Sequence, residues 1–489
     1  MYLDYLIQKA KKMLVSNTKR KDALVIGWRR RVPVPAPHVP SPSPSVPPAG
    51  IEHVLNDPTT PDLVKTTTEP PSVPQSPYVV KGYKGGGYNR GSVEYQAANV
   101  YVTIGETINS ISEVKIPHWH RTNQLSVFPR AGVDLNAFYD GRSLQFFYAS
   151  NPRIGTVFAS DAADITSHEC GHGILDCYRP DLWNAAFLEV GAFHECFGDF
   201  CALMHAIHHD EMVNKALIET GGDLSQSNVI SRLAEQFGRA IYQLDPTGRN
   251  PDYLRNAVNN YNYVDPSTLP SDTTDDKLAA EVHSFSRIFT GAIYDIFFMI
   301  FKDIKDSGVA PAIAAKNAGN IVCHYVIKSV INAPLNAKFF ASMAKTMLWA
   351  DVTIANRKYH DRMHEIFMKR NIINAEFMAM SAPKCTDNRN IMKKTGSMNL
   401  KLADVTLRTL GTDSNPLYNV EVNIPTEEAH LYDNNGNCIG HVAIAEEESI
   451  KGAQDFIEHL HRTRGVGPDS STPWEIRNGK LTRTRTCCF

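Results

Sequence analysis

The feature that most constrains this chain is an HExxH motif, formed by His168, Glu169 and His172. If the segment is helical, the two histidines lie one turn apart on one face, so both imidazoles can bind a single zinc ion (Zn2+). Glu169 is then placed to hold and deprotonate a water bound to that ion. A solvated helix can carry the same pattern by chance, so the interpretation depends on a third ligand.

A catalytic zinc site needs three protein ligands and one open position. A third histidine shortly after the motif is excluded, because Leu175 and Tyr178 occupy those positions. The later segment EVGAFHECFGD offers Glu195 as metal ligand and, one turn on, Asp199 as acceptor for the ring N–H of His168. Three other side chains remain alternatives for the third ligand: Asp176, Glu189 and His194.

HECGH followed by GAFHECFGD resembles the gluzincin pattern of thermolysin-like zinc metallopeptidases. The resemblance extends over roughly residues 90 to 380 and implies an α+β, two-lobed zincin-type fold. In that fold a strand-rich N-terminal lobe and a helical C-terminal lobe enclose the zinc ion. It also implies a zinc-dependent endopeptidase, whose substrate is a polypeptide cut at internal bonds.

Three further segments match the family in order. DLNAFYDGRSLQFFYA resembles the edge strand that binds the substrate backbone, which assigns that role to Asn136 and Ala137. YLRNAVNNYNYVDP resembles the segment whose arginine contacts a substrate carbonyl, here Arg255. EVHSFSRIFTGAIYD resembles the helix start that bears a second catalytic histidine, here His283.

The resemblance also implies how these residues share the reaction. Glu169 takes a proton from the attacking water and passes it to the leaving amine. Zinc and protonated His283 stabilise the oxyanion, and Arg255 positions the substrate backbone. Ile165 and Leu254 match positions that line the pocket for the residue after the cut, so we expect a preference for bulky apolar residues there.

Two details of the family pattern are displaced in this sequence. The oxyanion-binding tyrosine should lie between His172 and Glu195, where Tyr178 has the only hydroxyl beside Trp183 and Phe187. The carboxylate that orients His283 has no clear match either, and Asp276 is the candidate. These two roles are predictions from the resemblance alone.

No second metal site is expected. Asp164 matches one acid of the family's calcium site, but Ala206 stands where a glutamate is usual, so calcium (Ca2+) dependence is not assumed. His118 and His120, and the group His205, His208 and His209, lack a convincing carboxylate partner and are interpreted as strand or helix-surface residues.

Composition divides the 489 residues into four parts. Residues 1–31 form a basic segment, and residues 32–78 hold 14 of the 29 prolines, which predicts a disordered linker. Residues 79–382 form the metallopeptidase domain of the resemblance. Residues 383–489 predict a strand-rich accessory domain of α+β type.

Formal charge is −2 and 43% of the residues are hydrophobic, which is typical of a globular protein without affinity for nucleic acid. The longest apolar stretch is interrupted by Asp295 and predicts a buried helix rather than a transmembrane segment. The N-terminal segment lacks the features of a cleavable signal peptide. We therefore expect a cytoplasmic protein, or one exported by another route, with the basic and proline-rich region available to a partner or export machinery.

Local patterns give further expectations. VEYQAANVYVTIGETI is interpreted as strand-like, because β-branched and aromatic residues recur along it. AHLYDNNGNCIGHVAIA predicts a hairpin, and SIKGAQDFIEHLHR predicts a helix after it. This last region shows no catalytic pattern, and it either binds a partner, covers the active site or stabilises its neighbour.

Two other functions compete with an endopeptidase. An exopeptidase or narrow processing protease would need a blocked cleft end or a pocket for a chain terminus. A catalytically weak or latent family member would instead act as a partner-binding protein, or as an effector delivered into another cell. Retained metal without peptide cleavage would distinguish this second alternative.

Overall fold

The computed structural model describes residues 50–67, 78–111, 119–374, 390–401, 420–467 and 472–487. The predicted segment 1–31 lies outside these residues. Its helices are α1 Val93–Ile111, α2 Ala163–Tyr178, α3 Leu188–Ile207, α4 Asp210–Glu219, α5 Glu235–Leu244, α6 Val282–Asp306, α7 Pro311–Asn332, α8 Phe339–Ala355, α9 His360–Lys369 and α10 Glu446–Thr463. Helices and sheets occur together, so the prediction of an α+β chain is confirmed.

The strands are short and form several small sheets. They are β1 Ile51–Val54, β2 Val64–Thr67, β3 Tyr78–Val80, β4 Leu125–Phe128, β5 Ala137–Tyr139, β6 Ser143–Phe146, β7 Tyr148–Asn151, β8 Gly155–Phe158, β9 Arg232–Leu233, β10 Arg255–Asn256, β11 Ile391–Lys394, β12 Ser397–Lys401, β13 Glu421–Pro425, β14 Glu428–Tyr432, β15 Cys438–Val442, β16 Val466–Gly467, β17 Trp474–Arg477, β18 Lys480–Arg483 and β19 Thr486–Cys487. One five-stranded sheet has the order β19-β5-β6-β4-β3, and another has the order β12-β13-β18-β17-β16.

The strand-like interpretation of VEYQAANVYVTIGETI is wrong, because this segment forms the long helix α1. Its buried residues recur at helical spacing, for example Val100, Ile104 and Ile108. They pack into the main core together with residues of α2 and α3. Burial against these helices therefore outweighs the strand preference of the individual β-branched residues.

The predicted linker 32–78 is ordered in part. Residues 51–54 and 64–67 pair as antiparallel strands β1 and β2, and Val54 and Leu55 are buried. The Val54 N–H donates to the Asn99 side chain of α1 at 2.9 Å, which fixes the hairpin to the helix. A linker without a core is therefore wrong for this stretch, because its few apolar residues are buried on α1.

Helices α2, α3 and α6 form the centre of the molecule, with α3 packed between the other two. Among the described residues, α6 is the one helix long and apolar enough to cross a membrane. However, 72% of its most apolar window is buried inside the protein. Its apolar character is thus explained by packing in the core.

The last part of the chain contains the predicted hairpin, β14–β15, and the predicted helix, α10. Residues 402–419 of the predicted accessory domain lie outside the described residues. The chain then returns to the first part of the molecule, where β19 pairs antiparallel with β5. The boundary predicted at residue 383 therefore does not separate the two parts, because one sheet contains strands from both.

Candidate metal centre

Two glycines allow α2 and α3 to approach closely. A Cβ atom on Gly198 would lie 2.7 Å from the ring of His168, and one on Gly171 would lie 3.0 Å from the Gly198 Cα. Any larger side chain at Gly198 would displace the imidazole. This contact brings the HExxH face of α2 against the face of α3 that carries the predicted carboxylates.

The predicted ligands meet at this contact. The Nε2 atoms of His168 and His172 lie 3.3 and 3.7 Å from Glu195 Oε2. One ligand atom from each of His168, Glu169 and His172 lies within 4.8 Å of the others, and all three residues are buried. The chain thus contains a buried histidine–carboxylate cluster of the kind that holds a metal ion.

The cluster fits a zinc ion in distance and donor type. Tetrahedral bonds of about 2.0–2.1 Å place neighbouring ligand atoms about 3.4 Å apart, close to both separations from Glu195. Both ring nitrogens of His172 are buried without a hydrogen-bond partner among the described residues. A metal bond to one of them would account for this.

The protonation states are also compatible with a cation. Burial, and then the neighbouring His168, lower the pKa of His172 well below its usual value, so its ring is neutral as a metal ligand must be. Burial also acts to lower the pKa of His168, but Asp199 and Glu195 raise it to about 9. The carboxylates that favour a proton on His168 would equally favour a metal ion.

Asp199 lies behind His168, as predicted. Its Oδ1 is 3.0 Å from His168 Nδ1, and Arg255 donates to the same oxygen from Nη2 at 2.8 Å. Arg255 also lines the open cleft beside the cluster. The structure therefore places this arginine on Asp199, while its contact with a substrate carbonyl remains a prediction.

His283 lies at the start of α6, with Nε2 3.4 Å from Glu195 Oε2. Its Nδ1 is 2.6 Å from Glu281 Oε1. The prediction that Asp276 orients His283 is wrong, because Asp276 is a surface residue that accepts a hydrogen bond from the Thr274 hydroxyl. Burial opposes the charge on His283, yet Glu281 and Glu195 raise its pKa to about 10, so the ring is protonated at neutral pH.

Glu281 was missed although the sequence contains a signal for it. It is the N-cap residue of α6, and its Oε2 accepts the Ser284 N–H at 2.9 Å. An acidic residue at a helix start, two positions before a histidine, can cap the helix and contact that histidine together. The family pattern instead indicates a carboxylate further upstream, for which Asp276 is the candidate.

Tyr178 is not in the cleft. It is the last residue of α2, beside Cys201 and Cys323, and it is absent from the cleft lining. Six residues after His172 a helix has turned about 120° away from the ligand face, which explains the misplacement. Trp183 instead donates to the Arg483 carbonyl at 3.1 Å.

The alternatives for the third ligand have other surroundings. Asp176 accepts from Arg121 and from the Tyr139 hydroxyl, both at 2.9 Å. Glu189 accepts from Tyr263 and Phe340. His194 is buried, with its ring centre 5.8 Å from that of His172.

The predicted substrate-binding strand is β5, but it is not an edge strand. Thr486 pairs with Tyr139, and Cys487 pairs with Phe138, on the side away from β6. Asn136 precedes the strand and accepts its neighbour's N–H, that of Ala137, at 2.8 Å. The chain's own strand β19 therefore occupies the edge that the resemblance assigns to substrate.

The two predicted pocket residues separate. Leu254 lines the cleft together with Glu195, Arg255 and His283. Ile165, one turn before the HExxH motif, is buried in the core and is absent from that lining. Of these two residues, only Leu254 is thus in position to contact a substrate side chain.

Asp164, which the resemblance relates to a calcium site, is hydrogen-bonded to the backbone. Its Oδ1 accepts the Ile165 N–H at 2.8 Å and its Oδ2 accepts the Ala234 N–H at 2.6 Å. Both carboxylate oxygens therefore accept hydrogen bonds from backbone N–H groups, as in a structural aspartate.

No family model matches this chain. No curated protein matches it either. Among solved structures, the chain is similar to the precursor of protealysin, a metalloproteinase from Serratia proteamaculans, with 15% sequence identity and a TM-score of 0.38. The match covers 63% of this chain and 91% of that one.

Proposed function

We propose that the chain is a zinc-dependent endopeptidase of thermolysin-like type, with the two-lobed zincin fold. The observation that carries this proposal is the meeting of His168, His172 and Glu195 at one buried point beside an open cleft. Glu169 lies within the same cluster. A hydrolytic zinc site needs these parts: three ligands, a carboxylate base and access for substrate.

His168, His172 and Glu195 would hold the ion. When bound, zinc polarises a scissile carbonyl and makes water a better nucleophile near neutral pH. The second carboxylate, Asp199, fixes the His168 ring with its Nδ1 towards the aspartate and its Nε2 towards Glu195. The orientation of this ligand is therefore set by the protein itself.

Glu169 is the general base in this proposal. Glu169 is fully buried. One of its carboxylate oxygens lies within 4.8 Å of a ring nitrogen of His168 and of His172. There it takes a proton from the attacking water and delivers it to the leaving amine. Glutamine at this position keeps the shape and removes the proton acceptor.

His283 is the proposed oxyanion donor. Glu281 keeps its ring protonated, and the ring shares the cleft with Glu195 and Arg255. A cationic N–H donor beside the reacting carbonyl stabilises the charge that develops on its oxygen. Leu254 supplies an apolar wall of the cleft, which favours a bulky apolar residue after the cut.

The test compares the zinc-loaded chain with its Glu169→Gln variant on a mixed peptide library. New termini are identified by mass spectrometry, and zinc content is measured in both samples. We expect internal cuts before bulky apolar residues, lost in the variant at equal zinc content. Cuts that persist in Glu169→Gln would contradict the assigned base, and a zinc-loaded chain that makes no cut would favour the latent family member over an active endopeptidase.

One observation favours a latent enzyme over a fully active one. Strand β19 covers the β5 edge, and Arg485 and Thr486 line the same cleft as His283. This bears on the second candidate function, a catalytically weak or latent family member.

A further inference from the structure

A second histidine–carboxylate cluster lies at the other end of α3. His53 comes from β1, Glu106 from α1, and His205 and His209 from the end of α3 and the residue before α4. The Nε2 atoms of His53, His205 and His209 lie 3.2, 3.3 and 3.4 Å from the single oxygen Glu106 Oε2. His205 Nε2 and His209 Nε2 are 3.4 Å apart.

Hydrogen bonding, such as that between His205 Nε2 and Glu106 Oε2, accounts for only part of this convergence. His53 Nε2 is buried and has no hydrogen-bond partner among the described residues, although Glu106 Oε2 is only 3.2 Å away. Because all three imidazoles point a nitrogen at the same Glu106 oxygen, they compete for one hydrogen-bond acceptor. The three separations among Glu106, His205 and His209 agree with the edges of a zinc tetrahedron, which are about 3.4 Å long, and His53 Nε2 lies at a similar distance from Glu106.

Burial and charge are those of a metal site. His53 and His205 are almost wholly buried, His209 is buried, and the Glu106 side chain is 20% exposed, which leaves access from solvent. Burial lowers the pKa of His205 to about 4, so its ring is neutral. Burial would raise the pKa of Glu106, but the three histidines outweigh it and keep the carboxylate ionised.

We propose that His53, Glu106, His205 and His209 bind a second zinc ion. Four protein ligands leave no open position, so the site is structural rather than catalytic. It ties β1 and α1 to the end of the helix that carries Glu195. The interpretation of His205, His208 and His209 as surface residues is therefore wrong for the first and last of the three, because their carboxylate partner comes from distant α1.

The remaining histidine of that group, His208, has a different environment. Its Nδ1 lies 2.7 Å from the Met204 carbonyl oxygen, and its Nε2 lies 2.9 Å from the Asn320 side chain. It is therefore a helix-end residue without a role in the cluster.

The test counts zinc ions in the full chain by mass spectrometry of the metal after dialysis. We expect about two per chain in the unmodified protein, one in His172→Ala and one in Glu106→Gln. Glu94→Gln is the matched control, since Glu94 is an exposed glutamate on the same helix, and it should keep both. A single zinc ion that His172→Ala removes would overturn the proposal.

Cobalt gives a measurement that does not depend on folding of the Glu106 variant. The His172→Ala chain is loaded with Co2+, whose visible absorption reports tetrahedral coordination. We expect an intense tetrahedral spectrum from the remaining site. A weak octahedral spectrum, or no bound cobalt, would overturn the second site whether or not the chain cleaves peptides.

A separate observation, the pairing of β19 with β5, carries a second inference, which rests on the proposed peptidase function. Thr486 Oγ1 donates to the Tyr139 carbonyl at 3.4 Å, and the Arg485 guanidinium lies over the Phe138 ring. Arg483 is buried, accepts from Trp183 and donates its N–H to Asn184 at 3.1 Å. The segment is thus held by backbone and side-chain contacts.

We infer that residues 483–487 act as a built-in competitor for substrate. An extended peptide that binds by strand addition needs the free edge of β5, and β19 already uses it. Arg483 lines the same cleft as Glu195 and His283. Release of this segment would open both the strand edge and the space beside the cluster.

The variant Thr486→Pro removes a backbone N–H from β19 and disfavours the strand. The control Thr486→Val keeps strand preference and shape. We expect Thr486→Pro to raise kcat/KM for a peptide about tenfold or more, and Thr486→Val to change it less than about twofold, with zinc content constant. Equal rates in all three chains would overturn the inference.

A binding measurement separates this inference from the peptidase proposal. A fluorescent peptide hydroxamate is titrated into zinc-loaded Glu169→Gln, with and without Thr486→Pro. Tighter binding to the double variant supports the covering role even if no chain cleaves peptides. Equal affinity in the two chains would contradict it.

Discussion

The two histidine clusters differ in what lies behind their ligands. In the cleft, the proposed ligand His168 and the neighbouring His283 each have a carboxylate on the outer ring nitrogen, from Asp199 and Glu281, while His172 has no hydrogen-bond partner among the described residues. In the distal cluster, the Nδ1 atoms of His53 and His209 are buried without a hydrogen-bond partner among the described residues. Outer partners orient a ligand without its ion, so the distal geometry depends more strongly on bound metal.

This difference predicts a division of labour. The cleft is preorganised for chemistry, and loss of its ion should change activity more than stability. The distal cluster joins three separate parts of the chain, so loss of its ion should change stability more than activity. Variants of matched type in the two clusters can break or sharpen this contrast.

The largest effect is expected from His172→Ala in the cleft. It removes one of three proposed zinc ligands, so kcat/KM should fall at least about a thousandfold, because several kcal/mol of charge stabilisation are lost. Steady-state kinetics on one library-derived peptide measures this. Thermal unfolding should change little, and a large drop in Tm with activity retained would reverse the comparison.

Asp199→Asn tests the outer carboxylate alone. The substitution keeps the side-chain shape and removes the charge that faces His168 and Arg255. We expect zinc affinity at the cleft to fall about 10- to 100-fold, as for other outer partners of metal ligands. Competition with a fluorescent chelator measures it. Unchanged affinity would show that the aspartate does not support the ligand, and distal zinc should be retained throughout.

Glu106→Gln is the counterpart in the distal cluster. We expect Tm to fall by roughly 5 °C, because binding to the folded state alone stabilises it. A strong chelator should lower the Tm of the unmodified chain to a similar value. At 25 °C kcat/KM should stay within about threefold of normal. A Tm equal to that of the Glu94→Gln control would contradict a structural role.

The smallest effect concerns Glu189, a buried carboxylate outside both clusters. Burial raises its pKa to about 7, against an ordinary value of 4.5, although Lys338 and the Phe340 N–H oppose the shift. The folded state therefore binds more protons between these values, and this group makes stability fall as pH rises from about 4.5 to 7. Denaturant unfolding of Glu189→Gln should lack that contribution, which is on the order of 3 kcal/mol over this pH range.

An identical pH dependence in Glu189→Gln and the unmodified chain would contradict this prediction. It would also weaken the contrast with Glu106, whose pKa the histidines lower. The contrast between Glu189 and Glu106 implies that neighbouring charges, and not burial alone, decide whether a carboxylate in this core is ionised.

The cleft ligands could be predicted because local spacing encodes their geometry. His168 and His172 share a helical face by their separation alone, and Glu195 and Asp199 share another. The distal cluster could not be predicted, because its members are separated by up to 156 positions, from 53 to 209, and tertiary packing alone brings them together. His53 even lies in a stretch whose composition indicates a linker.

Other errors have the same physical origin. The residue types of the segment at Val93 predict a strand, while burial against two helices makes it helical. Strand β19 covers β5 and pairs Thr486 with Tyr139. No local sequence pattern predicts a contact between residues so far apart in the chain. Local spacing thus predicted which residues meet in the cleft, and long-range packing determined what surrounds them.

The most direct test of this account is a crystal of the zinc-loaded full chain, with diffraction data on either side of the zinc absorption edge. We expect two anomalous peaks. One should lie between His168, His172 and Glu195, and the other between Glu106 and the three histidines that point at it. A peak in the cleft alone would contradict the structural site, and the absence of a cleft peak would contradict the metallopeptidase proposal itself.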